Sequence, residues 1–159
     1  MTGSSKPKRL IVMRHEPTQE NKIGLIQGQS VGGILVNRDI NPQKLDWCKK
    51  NILHPAVIVT SSLLRAMESA DILARALGVP LITSTLFVQR RWGNVEGKFI
   101  TEIRKKKYAR NPFLAQAHDL SSGAEPLHEV TERAKQAWEY LKGVDARTVV
   151  VITHDEFSN

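Results

Sequence analysis

The sequence predicts a three-layer α/β/α sandwich organised around a mostly parallel sheet. Three apolar, β-branched runs carry the expectation: RLIVM (9–13), AVIVT (56–60) and TVVVIT (148–153). None alternates polar with apolar residues, so each reads as a strand covered on both faces. Between them lie segments with apolar residues at helical spacing, and such alternation marks an α/β domain.

Residues 1–8 read as a loose, flexible basic tail, and a single domain over 9–159 begins with the strand at 9–13. NPQKLDWCKKNI (41–52) predicts a helix with Asn41 as N-cap and Pro42 in the first turn. After the strand at 56–60, SSLLRAMESADILARALG (61–78) predicts a helix opening on serine and closing on Gly78. VPLIT (79–83) is a further short strand. GAEPLHEVTERAKQAWEYLKG (123–143) is the last long helix and 148–153 the last strand. Trp47 and Trp138, at helical positions among apolar neighbours, are expected in the core. His54, His118 and His128 are expected at the surface.

Composition narrows the class. Cys48 is the one cysteine of the chain, which excludes an internal disulfide and suits a reducing compartment. Four apolar residues after the basic start are too few for a signal-peptide core, and no run approaches the roughly 18 residues that span a bilayer. The expectation is a soluble, cytoplasmic protein with no membrane partner. A net charge of +7 favours anionic partners. Basic residues group at 6–9, 90–91 and 104–110, but aromatic residues are not interleaved with them, which argues against a nucleic-acid platform.

Parallel α/β sheets bind ligands beyond the carboxyl ends of their strands. Arg14 and His15 follow the first strand, Ser61 to Arg65 the second, and His154 the last. Three distant segments therefore deliver polar groups to one rim, and an Arg-His pair at a strand end suits an anion.

The segments RHEPTQEN (14–21), IQGQ (26–29), SSLLRAMESA (61–70), RRWGNVEGK (90–98), GAEPLHEVTER (123–133) and ITHD (152–155) carry a family resemblance. Together, in this order, they resemble the histidine phosphatase superfamily, the clan that includes cofactor-dependent phosphoglycerate mutase. RRWGNVEGK is closest to fructose-2,6-bisphosphatase-like members. The resemblance implies a phosphoglycerate mutase-like fold and a nucleophilic His15 that forms a phosphohistidine. It implies phosphate contacts from Arg14, Asn21, Arg65 and His154, and needs neither metal nor cofactor. The chemistry fits: guanidinium forks match phosphate oxygens, and a neutral imidazole attacks phosphorus if an acceptor holds its other nitrogen. Trp92, in a motif loop, is placed to wall the pocket.

Three residues depart from the family pattern. Glu16 stands where the family has glycine after the nucleophile. Gln89 stands where the mutase-like branch has its proton-donating Glu, so acid catalysis is lost from that position. Asp155 follows His154 where this branch has glycine, and the acid-phosphatase branch uses such a His-Asp pair with the Asp as proton donor. Asp155 is therefore the candidate general acid, with Glu16 and Glu156 as rivals and Glu96, in the Glu-Gly pair, a poor substitute. The sequence stops five residues past His154, where family members continue with a helix and often a strand. The remaining pocket wall is then left to further chain or to a partner copy in a homo-oligomer.

The expected function is a metal-independent phosphomonoesterase acting on a small phosphate ester or a phosphoprotein. The basic rim and VEGK suit a substrate with more than one acidic group. A pseudophosphatase that binds a phosphorylated ligand or partner without turnover is the alternative, favoured by Gln89 and Glu16. Mutase activity and a nucleic-acid module rank lower.

Overall fold

A computed structural model describes residues 9–30, 32, 33, 35–105 and 123–155. The tail 1–8, most of the basic run 104–110, His118 and Glu156 lie outside the described residues. Four strands, β1 (Arg9–Arg14), β2 (Ala56–Ser61), β3 (Leu81–Ser84) and β4 (Thr148–Thr153), form one parallel sheet in the order β1-β4-β2-β3. The helices are α1 (Gln19–Ile23), α2 (Pro42–Asn51), α3 (Leu64–Leu77), α4 (Ile100–Lys105) and α5 (Leu127–Gly143).

Register follows the side-chain alternation. Ile11, Val150, Ile58 and Leu81 fall in one cross-strand row, and this face packs on α2 and α3 through Cys48, Ala66, Ala70 and Leu73. Alanines at 66, 70 and 74 let α3 approach the sheet closely, at helical i, i+4 spacing. The opposite face presents Val57, Val59, Val149 and Val151 to Ala137 and Leu141 of α5. Burying both faces of the central strands explains why β2 and β4 read as unbroken apolar runs.

The structure corrects the sequence reading in several places. β1 is an edge strand, and Leu10 and Val12 are 39% and 41% exposed because α5 covers the central strands more fully than the edge. Trp47 and Trp138 are exposed rather than core. Their helical neighbours Cys48 and Ala137 take the inward positions, and one residue is a 100° rotation. Helix α3 starts at Leu64, three residues later than expected, because Ser61 completes β2 and its Oγ accepts the Leu63 amide at 3.2 Å. Helix α5 starts at Leu127; the preceding Glu125 is tied to the 91 loop by its amide, 2.9 Å from Arg91 O. Asn41 does cap α2, its Oδ1 accepting the Gln43 and Lys44 amides. His54 and His128 are at the surface.

Loops carry the rest of the architecture to the rim. Glu96 accepts the Gln29 amide at 3.1 Å and the Trp92 amide at 2.7 Å through one oxygen, joining two motif loops. Gly28 lies between them with φ +55°, and a Cβ there would sit 1.9 Å from Glu96 Oε1. Gly28→Ala is therefore expected to destabilise the fold by about 2 kcal/mol, combining left-handed strain with displacement of Glu96. Urea unfolding checks this; an unchanged midpoint would show that the loop yields freely.

Candidate active site

All four strands are parallel, so β1, β2 and β4 release their chains on the same edge of the sheet. His15 extends the ladder by one bond, its amide donating to Thr153 O at 3.0 Å. The ring is buried, and its Nδ1 lies 2.7 Å from the Glu16 carbonyl oxygen. A carbonyl only accepts, so this bond puts the ring proton on Nδ1 and leaves the lone pair on Nε2. Burial lowers the His15 pKa from 6.5 to about 4 against the opposing pull of that bond, and Arg65, Arg14 and Lys44 lower it further. The imidazole is neutral at physiological pH.

His154 is fully buried, and its ring centroid lies 5.2 Å from that of His15. Its Nε2 is 2.9 Å from Ser61 Oγ, while Nδ1 is buried without a partner among the described residues. Ser61 Oγ already accepts the Leu63 amide. With the hydroxyl proton donated to Nε2, the ring proton sits on Nδ1, facing an external acceptor. Burial lowers the His154 pKa to about 2, with Arg65 and His15 adding repulsion.

Arg65 is also fully buried, at the second residue of α3. Its Nη2 donates to Gly28 O at 2.7 Å and to Gln89 Oε1 at 2.8 Å, yet Nε and Nη1 are buried without partners among the described residues. Burial pulls its pKa down only to about 10, so it remains a cation. Buried donors are almost always satisfied. Two on Arg65 and one on His154 thus call for an acceptor-rich ligand at this rim.

A cavity of about 200 Å³ opens here. Arg14, His15, Asn21, Gln89, His154 and Asp155 supply its polar lining. Leu25, Ile26, Trp92 and Ile100 supply an apolar wall, and the Arg90 guanidinium stacks 4.7 Å from the Trp92 ring centroid. Lys98 of VEGK and Arg91 are exposed and do not line the cavity, so neither contributes to the basic rim expected beside VEGK.

The structure places the other expected residues as follows. Asn21 completes a capping box with Thr18 at α1, its Oδ1 3.1 Å from Thr18 N, and its Nδ2 reaches Gln27 Oε1 at 3.4 Å. Arg14 is half exposed, with Nε 2.9 Å from Asp155 Oδ1. The Glu16 carboxylate does not line the 200 Å³ cavity; it pairs with Lys44 Nζ. Gln89 Oε1 is taken by Arg65, which directs its amide hydrogens elsewhere.

The partners made by several residues are not stated by the sequence, even where a motif contains them. The acceptor for His15 Nδ1 is a backbone carbonyl, which any residue supplies. Ser69 and Lys44 act through hydrogen bonds to backbone atoms from positions that spacing alone does not mark, and Ser61, placed at the rim by its strand, turns its hydroxyl to the His154 ring. Glu125 and Arg133 form a buried pair, with Arg133 Nη2 at 2.8 and 2.9 Å from the two carboxylate oxygens. Arg133 Nη1 also donates to Val88 O at 2.7 Å, anchoring the strand of chain that leads into Gln89. No helix among the described residues is long and apolar enough to cross a membrane.

Comparison with known proteins agrees with this geometry. The chain is 26% identical to a metal-independent phosphoserine phosphatase of Arabidopsis thaliana, over 94% of this chain and 65% of that protein. It is 25% identical to a probable fructose-2,6-bisphosphatase TIGAR A of Danio rerio, over 87% of this chain and 54% of that protein. The chain thus spans between half and two thirds of the length of these curated relatives. Among solved structures, a mycobacterial glucosyl-3-phosphoglycerate phosphatase in complex with VO3 superposes with a TM-score of 0.73 at 25% identity. That superposition covers 95% of this chain and 77% of the mycobacterial one. A phosphoglycerate mutase of Bacillus anthracis shares the fold, with a TM-score of 0.67 at 16% identity over 97% of this chain and 78% of that one. The family model for the histidine phosphatase superfamily (branch 1) matches residues 10–159, and the chain belongs to that family.

Proposed function

We propose that the protein is a metal-independent phosphomonoesterase that works through a phosphohistidine on His15. The observation that carries the reading is the set of three buried, unpartnered donor positions on Arg65 and His154 beside a neutral imidazole. In the first step the Nε2 lone pair of His15 attacks phosphorus, the N–P bond forms and the ester P–O bond breaks. Arg65 and His154, with Arg14 and the Asn21 amide, stabilise the equatorial oxygens. The departing oxygen takes a proton from Asp155. In the second step water attacks phosphorus, the O–P bond forms as the N–P bond breaks, the Asp155 carboxylate takes the water proton, and phosphate and neutral His15 result.

Asp155 takes this role because Gln89 has no acidic proton and Glu16 does not line the cavity. Its Arg14 ion pair must open first, freeing the guanidinium for phosphate, and the carboxylate must take up a proton from solvent before it can act as the acid. The small cavity and its apolar wall of Leu25, Ile26, Trp92 and Ile100 suit a compact monoester better than a multiply acidic substrate. Asp155→Asn is expected to lower kcat on an alkyl phosphate by about 10²–10⁴-fold. On p-nitrophenyl phosphate, whose leaving group needs no proton, the expected loss is under about tenfold. Equal rates for wild type and variant on the alkyl ester remove Asp155 from the mechanism.

The alternative is a phosphate-binding pseudophosphatase. It is favoured by the engagement of both Gln89 and Asp155 with arginines. Tight vanadate binding by the wild type with no turnover of either ester would establish it.

A further inference from the structure

The loop that carries His15 has a tie that phosphate binding does not require. Glu16 is buried, 8% exposed, although its residue type belongs in water. Its amide donates to Ser69 Oγ at 2.8 Å, and Ser69 Oγ donates to Arg65 O at 2.7 Å. Its carbonyl holds His15 Nδ1. Its carboxylate meets Lys44 Nζ from the first turn of α2, and the same ammonium reaches Arg14 O at 3.4 Å. One lysine therefore grips the residues on both sides of the nucleophile. Glu16 has no positive φ, so a side chain is accepted here without strain.

We propose that Glu16 and Lys44 are positioning residues for His15: their ion pair fixes the Glu16 peptide plane, and that carbonyl fixes the imidazole tautomer. In water a neutral imidazole favours the opposite tautomer, with the proton on Nε2, where it would block attack. Holding the acceptor in place keeps the lone pair on Nε2. Neither side chain lines the 200 Å³ cavity, so the pair acts through the backbone rather than on the ligand. The charge pair also docks the loop on α2. The kinetic consequence rests on the phosphatase reading; the tautomer does not.

The test is the long-range ¹H–¹⁵N NMR pattern of the His15 ring at pH 7, read in wild type, Lys44→Met, Glu16→Ala and Lys44→Arg. His15→Ala assigns the signals. Wild type and Lys44→Arg are expected to show one protonated Nδ1 and one unprotonated Nε2. Lys44→Met and Glu16→Ala are expected to show averaged nitrogens. In turnover of p-nitrophenyl phosphate both disrupting variants should lose about tenfold in kcat with KM within twofold, and Lys44→Arg should recover most of it. A drop in Tm with an unchanged ring pattern in both disrupting variants overturns the proposal, because the pair would then be packing alone. If the ring pattern shifts as expected while even the wild type turns over no ester, the positioning stands and the phosphatase reading falls.

Discussion

His15→Ala is expected to abolish the phosphoenzyme and to lower kcat by about 10⁴-fold or more, while vanadate binds within about tenfold of wild type. The asymmetry follows from the division of labour at the rim. Attack on phosphorus needs a lone pair on a fixed nitrogen, and His15 Nε2 is the one ring nitrogen here whose neighbour is locked by a carbonyl. On the proposed reading, phosphate oxygens are met by Arg65 Nε and Nη1 and by His154 Nδ1, which are buried without partners among the described residues and do not depend on His15. His154 lies close, but its Nε2 is held by Ser61 and its remaining nitrogen is assigned the proton. With Nε2 engaged by Ser61, it is a poor replacement nucleophile. Rapid acid-free quenching with a ³²P-labelled ester, followed by denaturing gel analysis, measures the label, and calorimetry measures vanadate. Label retained by His15→Ala would place the nucleophile elsewhere.

Much of this site was legible in the sequence because a parallel sheet makes position predictable. Once strands at 9–13, 56–60 and 148–153 were recognised, Arg14, His15, Ser61 to Arg65 and His154 had to share an edge. What was not legible depends on direction rather than on order. Nothing in EPTQEN states that the Glu16 carboxylate turns to Lys44, because that depends on where α2 docks. Nothing states that Gln89 pairs with Arg65, because that contact closes a gap of 24 residues. The tryptophans show the same limit at helical scale: a single 100° step separates Trp47 from buried Cys48 and Trp138 from buried Ala137. The apolar run at 9–13 hid its edge position as well, since strand order is a tertiary property and Leu10 and Val12 look like core residues in isolation.

The burial that keeps both histidines neutral carries a cost that appears as acid instability. In the unfolded chain both rings gain protons as the pH falls through about 6.5. In the folded protein His15 does so only near pH 4 and His154 near pH 2. Between those values the unfolded state binds more protons, so stability rises with pH and is lost as pH falls below 6.5. The His15 contribution is complete by about pH 4, whereas the His154 contribution continues toward pH 2. Near pH 5 unfolding is expected to take up about two protons, a slope of about 3 kcal/mol per pH unit. From pH 7 to 4.5 the accumulated loss is about 5 kcal/mol, comparable with the whole stability of an ordinary domain. Urea titrations at pH 7, 5.5 and 4.5 measure this directly, and His15→Gln should halve the slope by removing one titrating ring. A urea midpoint that stays level across this range would mean that neither histidine is held neutral by burial. The nucleophile would then be protonated in mildly acid solution, and the phosphohistidine route would have to start from an imidazolium that has no lone pair to give.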